Sequence, residues 1–271
     1  MKLCGSWPGK AAARRHHFTG AAAIPVDLVA VAIAALAFLA GGFVKGLVGI
    51  GLPMMALPIL TLAYPVPVAV GLTIVPILVS NAWQAIGQGS FLPVIRRFWP
   101  LQLALLVTVL PASRLLVVLE NDTLLVISGS ALIISAVAMG VWKNISLPPR
   151  HEKLGGTVAG AVAGFLGGIS SLFGVPIIIF LTSLALSRDE FVKSVSFIYL
   201  CAMVPYALSL AVQGVMGPRE FMISTLCVLP VMAALTLAAR LMRKADKNQF
   251  RIVLLVVLGA MGAGMVAQGI G

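Results

Sequence analysis

The feature that most constrains the fold is a series of long apolar segments that carry almost no charge. Segments of this kind occupy residues 26–51, 68–88, 101–119 and 124–142, and similar ones follow from Leu154 onward. An α-helix needs about 20 apolar residues to cross a bilayer. Hydrophobic residues make up 60% of the chain and charged residues 10%, whereas a soluble domain has about 25% charged residues. We therefore predict an all-α polytopic membrane protein.

The basic residues form clusters between these segments, and the formal net charge is +11. In a soluble protein such a charge would suggest nucleic acid binding. Here the enrichment of Lys and Arg in cytoplasmic loops accounts for it, and no basic and aromatic stripe is present. We expect no nucleic acid partner, a flexible basic tail over residues 1–25, and three cytoplasmic loops, at Arg96, at Lys143–Lys153 and at Arg240–Arg251.

Two apolar segments are interrupted by glycine and proline at corresponding places. The stretch AGGFVKGLVGIGLPMMALPIL begins at Ala40, and GAVAGFLGGISSLFGVPIII begins at Gly160. Paired interruptions of this kind are typical of secondary transporters built from two repeats. We predict a first repeat at 26–142, a linker at 143–153 and a second repeat at 154–271. The gapless alignment of the two stretches pairs Gly46 with Gly164, Gly49 with Gly167 and Pro58 with Pro176.

The apolar pattern predicts ten helices if the short piece after each break is counted separately. An odd number in each repeat makes the repeats inverted and places the C-terminus and the N-terminal tail outside. If the first break is re-entrant, nine spans remain and the tail lies inside, so the expected range is 8–10 spans. The predicted helices are 26–49, 52–63, 67–90, 98–118, 122–142, 154–169, 172–186, 190–213, 218–241 and 249–270.

The two break motifs, GLVGIGLPMMALP and GFLGGISSLFGVP, resemble those of the TauE/SafE sulfite exporter family, also called toluene sulfonate uptake permeases. The resemblance covers nearly the whole chain from about residue 26. It implies a multi-pass permease of the cell membrane for sulfur-containing anions such as sulfite or organosulfonates. The chain departs from the family's glycine runs at Ile50–Leu52 and at Ile169–Ser171.

The breaks also indicate where an anion could bind. Each break starts a new helix, so residues 51–55 and 169–173 are expected to present unpaired backbone N–H groups, which favour anions. Lys45 adds a full positive charge, unless it extends to the headgroups, and the glycines could serve helix packing alone. The candidate substrate-binding residues are Lys45, Gly49, Gly51, Gly167, Gly168, Ser170, Ser171, Asn81, Gln84 and Tyr199.

The positions of the acidic residues and histidines limit the chemistry. The 8 acids and 3 histidines all fall in loops or at span ends, so we expect no carboxylate-based proton coupling, no catalytic residues, no metal and no cofactor. An anion would then be exported along the membrane potential. The alternatives are a permease for a carboxylate, an intramembrane enzyme, or a non-transporting scaffold; the sequence leaves the oligomeric state open.

Overall fold

The computed structural model of the protein describes residues 28–86, 89–141, 146–184, 186–241 and 247–271. The predicted tail at 1–25 lies outside the described residues, as do 143–145 of the linker and 242–246 of the third basic loop.

The described residues form α-helices and no strands, which confirms the predicted all-α class. Helices α9 and α10 follow end to end through Cys227 as one apolar rod, Pro218–Leu241. The helices are α1 (Leu28–Val48), α2 (Leu52–Leu60), α3 (Val66–Ala85), α4 (Leu92–Val118), α5 (Asn121–Val141), α6 (Glu152–Ser170), α7 (Gly174–Thr182), α8 (Arg188–Val212), α9 (Pro218–Leu226), α10 (Val228–Leu241) and α11 (Lys247–Ile270).

Six of these described segments are long and apolar enough to cross a membrane, and α11 contributes a shorter apolar stretch at Leu254–Ile270. Each of the ten predicted helices has a counterpart among the helices α1 to α11, with α9 and α10 together matching the predicted helix 218–241. The largest difference from the predicted bounds is at α4, which begins at Leu92 and not at residue 98. The helix includes the basic pair Arg96 and Arg97, which was predicted to lie in the preceding loop, and it has a kink at Phe98.

The chain reverses at both breaks, and the short helix that follows packs back against its predecessor. Gly41 of α1 lies against Ala56 of α2, and Gly156 of α6 lies against Phe180 of α7. Helices α2 and α7 have 9 residues each, about 14 Å at the α-helical rise. That is about half of the hydrocarbon thickness of a bilayer, so neither crosses it alone.

Among the described residues, glycines allow three pairs of long helices to touch backbone to backbone: α1 with α10, α4 with α6, and α5 with α11. A Cβ at Gly42 of α1 would stand 2.6 Å from the Val231 carbonyl oxygen of α10. Close contacts of this kind hold helices together in lipid, where the hydrophobic effect does not. The seam between α6 and α4 pairs Gly160 with Leu101, Gly164 with Leu105 and Gly168 with Val109. Because the residue numbers increase in the same direction along both helices at these contacts, α4 and α6 are parallel.

The helix before the first break, α1, ends at Val48, and the helix before the second break, α6, ends at Ser170. Corresponding residues of the two halves are therefore 122 positions apart in the sequence. The next residues, Gly49 and Ser171, both adopt left-handed backbone, with φ of 90° and 59°. The predicted pairing of Gly46 with Gly164 is therefore wrong by one helical turn. Its cause is the recurrence of glycine every four residues along α6, which makes the sequence match almost equally well after a shift of one turn. The inverted relation of the halves stays a prediction.

The residues that flank the basic loops gather at one end of the bundle. Arg97 near the start of α4 forms an ion pair with Glu152 at the start of α6. Only two residues connect α4 to α5, so α5 returns to that end, where Gly140 lies near Leu255 of α11. The described residues that flank the three predicted cytoplasmic loops thus lie toward one end of the bundle, and the assignment of that end to the cytoplasm stays a prediction.

A serine of α9 replaces a backbone hydrogen bond that a proline removes from α3. Pro76 has no N–H, so the Leu72 carbonyl lacks its usual helical donor. The fully buried Ser224 hydroxyl donates to the Leu72 oxygen at 2.9 Å and accepts from the Val75 N–H at 3.2 Å. One side chain thereby satisfies the kinked backbone and joins α9 to α3 beside the proline.

Replacing this hydroxyl should destabilise the protein. Ser224→Ala leaves the buried Leu72 carbonyl unpaired, so we expect the free energy of unfolding to fall by about 1–3 kcal/mol. Thr225→Ala is the control, because that hydroxyl is exposed and bonds only its own helix. Unfolding in detergent micelles measures both, and equal losses would show that the contact with α3 contributes nothing.

The glycine seam makes a second prediction. In Gly164→Ala the new Cβ would meet the Leu105 carbonyl oxygen at 2.5 Å, forcing α4 and α6 apart at a cost of about 1–3 kcal/mol. Gly264→Ala in α11 faces open space and should be neutral or stabilising, since alanine is the better helix former. A Gly164 variant as stable as the Gly264 variant would contradict this packing.

Candidate functional site

The candidate site is built around Lys45, in the last turn of α1. Its side chain is only 3% exposed, so it does not extend to a headgroup region. The ammonium donates to Asn81 Oδ1 at 2.8 Å and lies 6.0 Å from the centre of the Tyr199 ring. Among the described residues, no acidic side chain pairs with it. The structure therefore joins three predicted residues, from α1, α3 and α8.

Asn81 is held so that its oxygen faces the lysine. Its Nδ2 donates to the Ile77 carbonyl one turn earlier in α3, at 2.8 Å, which leaves Oδ1 to accept from Lys45. An ammonium has three N–H donors. The hydrogen bond to Asn81 uses one, and two remain for another acceptor.

The N-termini of α2 and α7 meet beside this cluster. Gly174 at the start of α7 lies next to the sulfur of Met54 in the first turn of α2. Neither helix has a side-chain N-cap, unlike α8, which Ser187 and Glu190 cap reciprocally. An uncapped N-terminus presents unpaired N–H groups and about half a positive charge. Two such ends therefore add to the positive character near Lys45.

Two of the predicted serines have different roles. Ser170 lies inside α6, and its hydroxyl donates to the Leu166 carbonyl of the same helix at 2.8 Å. Ser171 ends α6, and within the described part of the chain its buried hydroxyl has no hydrogen-bond partner. The prediction that residues 169–173 form a helix N-terminus is wrong, because helical bonding continues to the Ser171 N–H, which donates to the Gly167 carbonyl. The N-terminus begins at Gly174.

The predicted glycines mainly provide space. Gly51, with φ of 106°, precedes α2 and contacts Val44. Gly49 lies against Val192 of α8, and Gly167 makes room for the ring of Phe173. Gly168 packs on α4, and its carbonyl accepts from the Tyr206 hydroxyl at 3.0 Å. These contacts support the packing alternative for Gly167 and Gly168.

Gln84 lies one turn beyond Asn81 on α3. Among the described residues, its buried Oε1 has no hydrogen-bond partner, and the structure shows no hydrogen bond between Gln84 and Lys45. Its place in the site stays a prediction.

Sequence reasoning missed an aromatic cluster at the second break. The Phe173 ring lies edge-on to Tyr199 and Tyr206, with ring centres 6.1 Å and 5.5 Å away. The one available signal was the position of Phe173 within the break itself. The cluster fixes the Tyr199 ring beneath Lys45 and places its hydroxyl against Gly174, where a Cβ would stand 2.7 Å away. That hydroxyl is buried and has no hydrogen-bond partner among the residues that the structure describes.

The site is closed in this conformation, because the Lys45 side chain is only 3% exposed. A cavity of about 10 Å³ lies beside the first break, lined by Gly51 and by apolar side chains of α1, α2, α5, α7 and α11. It could hold at most one water molecule. The breaks meet as expected, but a solute could occupy the site only after the surrounding helices move.

Comparison with known proteins gives a consistent result. A family model described as sulfite exporter TauE/SafE matches residues 33–265. No curated protein and no solved structure matched the chain. With its six long apolar helices among the described residues, the chain is a multi-pass membrane protein of a transporter family. The match covers most of the sequence, and the protein belongs to the TauE/SafE sulfite exporter family.

Proposed function

We propose that this protein is a permease for a small anion, with sulfite or an organosulfonate as its substrate, and that the anion binds beside Lys45. The observation that supports this most is the burial of that ammonium with an amide, an aromatic ring and no described acidic partner. The TauE/SafE family match supports the choice of a sulfur oxyanion.

The energetic argument rests on charge compensation. A buried charge without an opposite charge costs several kcal/mol even after relaxation. Asn81 provides one hydrogen bond and Tyr199 a ring face, but neither carries a negative charge. An anion at the two remaining N–H donors would supply it, and the uncapped N-termini of α2 and α7 would add further donors.

The same charge distribution disfavours other cargoes. None of the acidic side chains that the structure describes is buried, so a metal cation would find no carboxylate in the core. A carboxylate anion remains the alternative substrate, since its two oxygens could use the same donors. We infer that the sulfur oxyanion is preferred because the family is that of sulfite exporters.

We further propose export from the cytoplasm of a cell, driven by the membrane potential. The location of the residues that flank the three basic loops, toward one end of the bundle, supports placing these loops inside and the C-terminus outside. The potential is worth about 2.3 kcal/mol per charge per 100 mV, nearly a fiftyfold outward bias for a monovalent anion. The closed cavity means that transport includes a rearrangement around the breaks.

Removing the Lys45 charge tests the proposal. In Lys45→Met we expect sulfite efflux from proteoliposomes to fall at least about tenfold, because the anion loses its only full counter-charge. Stability should stay unchanged or rise, since a buried charge without an acidic partner has been removed. Lys193→Met is the matched control, because Lys193 lies over the Phe91 ring and not in the site.

Two results would contradict the proposal. Sulfite efflux by the Lys45 variant at the rate of the Lys193 variant would exclude the site. Efflux that ignored an imposed potential but followed a pH gradient would exclude export along the potential. Replacing sulfite by acetate in the same vesicles decides between the sulfur oxyanion and the carboxylate.

A further inference from the structure

Ser196 of α8 differs from most buried hydroxyls of this protein. Serines and threonines inside helices usually donate to a carbonyl one turn earlier. Four buried examples here do so: Thr73 to Val70, Ser80 to Ile77, Ser170 to Leu166 and Ser183 to Phe180. The Ser196 hydroxyl is fully buried and has no hydrogen-bond partner in the described part of the chain. Leaving a buried hydroxyl unpaired is unfavourable, so its position calls for a ligand.

The position of Ser196 follows from its neighbours on α8. Val192, Ser196 and Tyr199 are spaced by four and three residues, so they share one face of the helix. Val192 contacts Gly49, and the Tyr199 ring lies beneath the Lys45 ammonium. Ser196 lies between these two contacts and therefore faces the last turn of α1.

We infer that Ser196 is a further substrate-binding residue, and that its hydroxyl and the Tyr199 hydroxyl donate to oxygen atoms of the anion held by Lys45. The inference rests on the proposed function and deepens it. Both hydroxyls are buried without hydrogen-bond partners in the described ranges, and both belong to the helix face that meets the lysine. Together with the two remaining ammonium N–H groups, they would offer four donors to the anion.

This donor arrangement selects a class of anion. A sulfite or sulfonate group has three oxygen atoms, which can accept from the ammonium and from separate hydroxyls at once. A halide is a single acceptor centre, so it binds to the ammonium without needing the hydroxyls of α8. Ser196 thus increases the affinity for oxyanions but not for halides, whereas Lys45 increases the affinity for both.

The test compares Ser196→Ala with Ser194→Ala, using sulfite and methanesulfonate as transported probes and chloride as the competitor. Ser194 is also buried, but its position two residues away turns it to another side of α8. We expect Ser196→Ala to raise the half-saturating concentrations of sulfite and methanesulfonate about tenfold, the effect of losing one hydrogen bond to a charged group. Inhibition by chloride should not change. Ser196→Thr, which keeps the hydroxyl, should restore most of the affinity.

Several outcomes would overturn the assignment. It is wrong if Ser196→Ala keeps the wild-type affinity for both oxyanions, or if sulfite and chloride are affected alike. It is also wrong if the substitution lowers only the unfolding temperature, because the hydroxyl would then serve a buried water. Failure of the wild-type protein to transport either oxyanion would instead contradict the proposed function, and the inference would fall with it.

Discussion

The structure is organised around one unfavourable interaction, a buried ammonium for which the described core offers no negative charge. Burial weakens the solvation of Lys45, and Asn81 compensates for this only in part. Several nearby features have the sign that suits an anion. Helices α2 and α7 begin without side-chain caps, and within the described residues the buried hydroxyls of Ser196 and Tyr199 lack hydrogen-bond partners. Under the proposed function, unpaired donors of this kind suit a carrier, which must release its solute as well as bind it.

The two halves contribute different chemistry to the same place. At the separation of 122 residues that the helix ends define, Lys45 corresponds to Gly167. The first half therefore supplies a cation where the second half supplies space. The Phe173 ring fills that space and packs against the tyrosine over which Lys45 lies. The site is thus asymmetric, although similar glycine seams support both breaks.

Much of this arrangement could be predicted from the sequence, because polar residues are rare in membrane spans. Lys45, Asn81 and Tyr199 stood out against apolar surroundings, and the structure brings them together. The register of the halves could not be predicted in this way, since glycine at every fourth position of α6 permits a shift of one turn. The bond from Ser224 to the carbonyl freed by Pro76 was also hidden, because the sequence does not reveal which helices are neighbours. The closed cavity depends on how side chains pack, which periodicity does not describe.

The most direct test of the account is to locate a bound anion by anomalous diffraction. Selenite has the shape and charge of sulfite, and its selenium gives an anomalous signal. The account predicts a single strong peak between the N-termini of α2 and α7, with an oxygen about 2.7–3.2 Å from the Lys45 ammonium. A peak elsewhere in the membrane region, or no peak at a saturating concentration of selenite, would contradict it.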